Sequence, residues 1–296
     1  MKTIGLFAPS GFVADPAIAD RAERVLRAAG YAVKRDPALG ACATRFAGSD
    51  DERLAAIYRI ADDPGVDVAL ALRGGYGISR LLDRLDFARI ARAAKLWVGM
   101  SDFTAFQTAL FAKTGQASLH GPMVGDFGRE VASAFALAHF DAMLQHGQDV
   151  FRIDVAQPHR DSASGRLWGG NLTMLCHLLA TPFWPECAGE ILFIEDVAEA
   201  PYRVDRMLHQ LDFAGVLRRQ KAILFGDFGG YRLGATDNGF DLDAVIRSWR
   251  QRLAVPIFTG LPFGHIPDKL SLPIGGEARV AADECGWELE FALSER

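Results

Sequence analysis

Ser101 is the residue best placed for chemistry. The apolar run Leu96-Trp97-Val98 ends at Gly99, Ser101 follows Met100, and Phe103 to Phe111 reads as a helix. A buried strand that turns sharply into a helix, with serine at the turn, presents a hydroxyl as a nucleophile. The serine would also lie at a helix N-terminus, where unpaired amides and the helix dipole favour developing negative charge. Taken locally the same residues read first as an N-cap and a turn, because Phe103 stands where G-x-S-x-G has its second glycine. Distant residues have to separate the two roles.

A serine nucleophile needs a base, and the base needs an orienting group. His265 lies in Leu261-Pro262-Phe263-Gly264-His265-Ile266-Pro267-Asp268, a Gly/Pro-rich loop after a strand. Such a loop holds a side chain at a surface cleft. His120, in Leu119-His120-Gly121-Pro122, is the rival and reads more as a structural residue. His139, His146, His177 and His209 fall on helices or at their ends and read as surface or packing residues. For the orienting group, Glu195 closes the apolar strand Ile191 to Ile194, and a carboxylate there is costly unless partnered. Asp196 and Glu199 are alternatives that read equally as turn caps. Ser101, Glu195 and His265 follow the nucleophile–acid–base order of α/β-hydrolases.

The loop Arg73-Gly74-Gly75-Tyr76-Gly77 is rich in free amides. It could give a backbone N–H to an oxyanion, together with the N–H of Asp102, whose side chain is expected to matter little. Phosphate cradling is the second reading, although neither GxGxxG nor a P-loop is matched. A turn without a ligand is the third.

These residues need elements to hold them. Strands are expected at 3–7, 31–34, 66–72, 96–99 and 118–119, with helices at 16–29, 50–61 and 103–114 and helical pieces over 78–93. That alternation argues for a doubly wound α/β domain over residues 1–125, with ligands at the carboxyl ends of its strands. Residues 126–165 read as a connection containing a helix, Glu130 to Leu144. A second, mixed α/β domain over 166–296 would carry strands at 190–195, 221–227, 256–259, 278–281 and 287–293 and helices at 171–180, 203–213 and 241–253.

The 296 residues are 50% hydrophobic and 23% charged with a net charge of −5, normal for a globular chain with a sizeable core. The interspersed charge gives no support for a nucleic-acid or membrane-surface partner. The apolar start at Thr3 is too short for a signal peptide and stops at Pro9, so a cytoplasmic protein is expected. Cys42, Cys176, Cys187 and Cys285 form no CxxC pair and read as reduced thiols, most of them buried; no histidine cluster suggests a metal, and no cofactor is expected.

The motifs together resemble the LD-carboxypeptidase family of serine peptidases, which includes muramoyl-tetrapeptide carboxypeptidases and microcin C immunity peptidases. The matching stretches are Leu72 to Gly77, Gly99 to Ala105, His120 to Met123, Gly169 to Leu172, Leu192 to Val197 with Pro201 to Leu208, Gly264-His265 with Pro267-Asp268, and Leu272 to Gly275. The resemblance implies a flavodoxin-like N-terminal domain and a mixed C-terminal domain with the active site between them. It places the catalytic serine, glutamate and histidine on Ser101, Glu195 and His265, and the oxyanion amides on Gly75 and Asp102. Arg73, Gly74, Tyr76 and Asn171 are expected to line the substrate. The implied activity is hydrolysis of the L,D bond before the terminal D-alanine of a murein tetrapeptide, in a homodimer. An immunity-type peptidase acting on aminoacyl-adenylate-like antibiotics and a non-catalytic small-ligand binder are the alternatives. Met100 departs from the usual Tyr or Phe, and Ile266 from a small residue.

Overall fold

The computed structural model describes residues 1–294. The first sheet is built from β1 (Thr3–Phe7), β2 (Ala32–Arg35), β3 (Val68–Ala71), β4 (Leu96–Gly99) and β5 (Ser118–His120). They run parallel in the order β5-β4-β3-β1-β2, the flavodoxin-like arrangement. Every residue of β3 and β4 is buried, as expected of parallel strands covered on both faces. The crossovers are α1 (Ile18–Ala28), α2 (Asp50–Asp62), α3 (Phe87–Arg92) and α4 (Thr104–Thr114). The helix expected from Pro16 starts two residues later, because Asp15 turns the chain with a hydrogen bond to the Ala17 N–H. In α2, Ser49 and Glu52 form a reciprocal capping box, and Asp50, Asp51 and Glu52 face the positive end of the dipole.

After β5 come α5 (Val124–Phe127), α6 (Ala134–His146), β6 (Gln148–Ile153), β7 (Ser162–Asn171) and α7 (Leu172–Leu178). The remainder is β8 (Ile191–Glu195), α8 (Pro201–Phe213), β9 (Ala222–Phe225), α9 (Leu242–Arg252), β10 (Ile257–Thr259), β11 (Leu272–Ile274), β12 (Gly276–Ala282) and β13 (Trp287–Ala292). The second sheet has the order β10-β9-β8-β7-β12-β13-β6. Its first four strands are parallel and the rest antiparallel, a mixed sheet.

Two strands lie outside the expected domain division. β6, in the segment read as a connection, is the edge of the second sheet. Its alternation of half-buried and exposed residues suits an edge strand, whose polar outer face hides it from a hydrophobicity reading. β11 leaves the C-terminal part and pairs antiparallel with β5, completing the first sheet. The helix α4 lies between the halves and is buried from Thr104 to Phe111 on all sides, so it shows no amphipathic stripe. Only Cys187 of the four cysteines is buried; Cys42 and Cys285 are exposed, since both lie in loops outside the strands and helices. Among the described residues no helix is long and apolar enough to cross a membrane.

Candidate active site

Ser101 sits directly after β4 with φ +63, the left-handed region that a β-carbon makes costly. Met100 before it is extended and a 3-10 turn over Ser101–Phe103 leads into α4. Ser101 thus lies strained and half-buried at a strand-to-helix turn, an arrangement that can present a hydroxyl. The loop after β3 closes on it. A β-carbon on Gly74 would lie 2.6 Å from Ser101 Cβ, 2.7 Å from Oγ and 3.0 Å from the Asp102 amide nitrogen, so glycine alone allows that approach. The Gly74 carbonyl accepts from the Gly11 N–H at 3.1 Å, and Gly75 has φ +105. The N–H of Gly75, on the far side of that peptide from the carbonyl, therefore points away from Gly11.

The Asp102 side chain does more than expected. It is 2% exposed, and Oδ2 accepts from the Ile78 N–H at 3.0 Å. Burial raises its pKa, against the opposing pull of the Ile78 amide, the neighbouring Ser10 hydroxyl and the Arg53 charge.

The other half of the site comes from the second sheet. Glu195 ends β8 and is fully buried. His265 Nδ1 lies 2.8 Å from Glu195 Oε2, with the imidazole 25% exposed. Burial works against the imidazolium, but the hydrogen bond and charge of Glu195 outweigh it and the His265 pKa lies above its ordinary 6.5. The hydrogen bond fixes the ring and directs Nε2 away from the carboxylate.

The neighbours of Glu195 take other tasks. Asp196 Oδ2 accepts from the Thr173 N–H at 2.9 Å and its hydroxyl at 2.8 Å, and Oδ1 from the Val197 N–H at 2.9 Å. Asp196 thus ties the start of α7 to the turn after β8, and Glu199 pairs with Arg203 on the surface. Asn171 caps α7 through Oδ1, and its Nδ2 donates to Glu195 Oε1 at 3.2 Å and Asp196 Oδ1 at 3.0 Å. With 6% exposure and both ends of its side-chain amide engaged, Asn171 stands behind the carboxylate. No local pattern in the sequence marks the convergence of the two carboxylates on it.

His120 is fully buried between Phe193 and Phe263, with ring centroids at 5.5 and 5.1 Å. Gln107 donates to the Leu119 carbonyl, so its Oε1 faces His120 Nδ1 at 2.6 Å and takes the ring proton. Burial, helped by the His265 and Lys269 charges, pushes the His120 pKa down to about 3. Its surroundings are those of a packing residue.

Two residues that the sequence reading passed over join the halves. The Asn171 N–H donates to Thr104 Oγ1 at 3.1 Å, tying β7 to the first residue of α4. Lys269, 1% exposed, places Nζ 2.8 Å from Asp126 Oδ1 and 3.5 Å from Met100 Sδ, anchoring the His265 loop beside the strand end that carries Ser101. The available signal was a lysine among buried apolar neighbours, Leu270 and Leu272. At the mouth, Arg73 is exposed and its Nη1 donates to the Phe12 carbonyl at 3.2 Å. Tyr76 is 41% exposed beside Phe46, with the Arg45 guanidinium 5.8 Å from its ring centroid.

The chain matches the LD-carboxypeptidase N-terminal domain over residues 4–121 and the LD-carboxypeptidase C-terminal domain over 164–280. The probable murein peptide carboxypeptidase of Bacillus subtilis is 32% identical over 99% of this chain and 93% of its own length. The muramoyltetrapeptide carboxypeptidase of Oxalobacter formigenes superposes with a TM-score of 0.93 at 43% identity, covering 98% of this chain and 99% of that one. An MccF-like protein from Bacillus anthracis shares the fold, with a TM-score of 0.88 at 24% identity over 99% of this chain and 97% of that one. The resemblance carried by the motifs thus runs through both halves, and the chain belongs to the LD-carboxypeptidase family.

Proposed function

We propose that this protein is a serine carboxypeptidase that removes the terminal D-alanine from a murein tetrapeptide by hydrolysing the L,D bond that follows diaminopimelate. The observation that carries the reading is the 2.8 Å pair of His265 and Glu195, held through Asn171 and Thr104 on the helix that Ser101 opens. The substrate class rests on the names of the similar carboxypeptidases from Bacillus subtilis and Oxalobacter formigenes.

In this scheme His265 Nε2 takes the proton of Ser101 Oγ as it attacks the peptide carbonyl. Glu195 keeps the proton on Nδ1 and stabilises the imidazolium. The N–H groups of Gly75 and Asp102 receive the oxyanion, each worth about 3 kcal/mol in the transition state. His265 then gives its proton to the leaving amine, D-alanine departs, and water activated by the same imidazole hydrolyses the acyl-enzyme to restore Ser101. Arg73 is the cation for the free carboxylate. The enzyme would act as a cytoplasmic homodimer, which sedimentation and cell fractionation test.

Mass spectrometry of a tetrapeptide digest tests the reading. The parent should release D-alanine, and Ser101→Ala should lower kcat by at least about 10⁴-fold. Cleavage of an aminoacyl sulfamoyl adenylate without D-alanine release would move the chain to the immunity-type activity. Tetrapeptide binding without turnover of either substrate would make it a binding protein.

A further inference from the structure

One peptide unit beside the site is gripped on both edges by charged side chains that the reaction scheme does not use. Arg53 of α2 is fully buried, and its Nη1 donates to the Gly77 carbonyl at 2.9 Å and the Pro9 carbonyl at 2.8 Å, while Nη2 pairs with Asp50. On the opposite edge of the same unit, the Ile78 N–H donates to Asp102 Oδ2 at 3.0 Å. The carbonyl and N–H of a trans peptide point in opposite directions, so the Gly77–Ile78 plane is held between α2 and the residue that follows Ser101. Room for this is made by glycine: a β-carbon on Gly77 would lie 2.8 Å from Arg53 Nη1 and 3.1 Å from Phe46 Cδ1.

The grip extends to the other end of the loop. Pro9, held by the same guanidinium, lies two residues before Gly11, whose N–H takes the Gly74 carbonyl. A buried guanidinium and a buried carboxylate are expensive to desolvate, and apolar residues of equal volume would fill the space at less cost. What the charges supply is a fixed position for the Gly77 end of a glycine-rich loop whose Gly74 end is held by the Gly11 N–H.

We propose that Arg53 and Asp102 are positioning residues, a two-sided clamp on the Gly77–Ile78 peptide that sets the Gly74–Gly75 amides against Ser101 for oxyanion binding. The proposal rests on the reading of Ser101 and its loop given above. An oxyanion donor is engaged chiefly in the transition state, so loosening the clamp lowers kcat and leaves KM nearly unchanged.

The experiment uses the full-length protein and two readouts. One is the rate at which a fluorophosphonate labels Ser101, which needs no peptide substrate; the other is kcat and KM for D-alanine release from a murein tetrapeptide. Asp102→Ala should slow labelling and kcat by about 10- to 100-fold, with KM within about threefold. Asp102→Asn keeps an oxygen for the Ile78 N–H and should recover to within about fivefold of the parent. Labelling by Asp102→Ala within twofold of the parent, equal loss in the Ala and Asn variants, or a change confined to KM would overturn the clamp. If circular dichroism finds Asp102→Ala unfolded, Arg53→Met decides: it keeps the apolar stem but donates to neither carbonyl, and unchanged labelling refutes the proposal. A parent that labels but releases no D-alanine ends the substrate reading and leaves the clamp to be judged on labelling rates. A parent that does not label ends the clamp as well.

Discussion

The two halves of the molecule hold their shares of the site by different means. On the second sheet, Glu195 and His265 are fixed by side-chain hydrogen bonds, in a run from Asn171 through the carboxylate to the imidazole. On the first sheet, Ser101 and the loop over it are fixed by backbone conformation: a serine at φ +63, and a glycine close enough to touch it. The first arrangement depends on which atoms the side chains carry. The second depends on the absence of atoms. Changes to functional groups should therefore hurt the second-sheet half, while the first-sheet half should also be hurt by added methyl groups, beside any loss of the Arg53 and Asp102 clamp.

The largest effect that sharpens this contrast is expected at Glu195. Glu195→Gln keeps the volume but loses the charge, and kcat should fall by a factor on the order of 10²–10⁴. In the proposed scheme His265 must be neutral to accept the serine proton, so activity should rise with pH through its pKa, which lies above 6.5 in the parent. Without the carboxylate that pKa falls, and the acid limb of the kcat/KM profile should move to lower pH. A limb that stays in place would mean that Glu195 does not govern the imidazole.

Next comes Gly74→Ala, which tests the backbone half. The added methyl would meet Ser101 Cβ at 2.6 Å, and the loop has to move off Ser101 to admit it. We expect kcat to fall about 10- to 100-fold while the protein stays folded, with a small drop in melting temperature. Full activity with an unchanged melting curve would break the comparison.

The smallest effect is expected from Asn171→Ala. Glu195 and Asp196 would each lose a buried donor, and urea unfolding should register a loss of about 1–3 kcal/mol. Because His265 keeps its own bond to Glu195 Oε2, kcat should fall less than in Glu195→Gln.

Much of this was legible in the sequence because it lies at the ends of strongly apolar strands. β4 falls where Leu96-Trp97-Val98-Gly99 places it, and β8 ends on Glu195 as its composition suggests. β7 escaped notice because it is rich in serine and glycine, and its neighbour β12 lies more than a hundred residues further on. β11 is three residues long and contains Pro273, which argues locally against a strand; its pairing with β5 is settled by tertiary packing. At the site, residue types were readable but partners were not. The Asp102 carboxylate reaches an amide 24 positions back, and no local pattern marks Ile78 as its target.

The crossing of β11 into the first sheet also bears on how the chain is made and unmade. The edge of β5 waits for Leu272–Ile274, which the ribosome delivers only after most of the second sheet has been synthesised. An uncovered strand edge is a template for pairing with other chains, so the nascent first half is exposed to that hazard for most of translation. Once β11 is in place, neither half can leave without opening the other. Unfolding by denaturant should then be one cooperative transition, with no stage at which residues 1–125 survive alone.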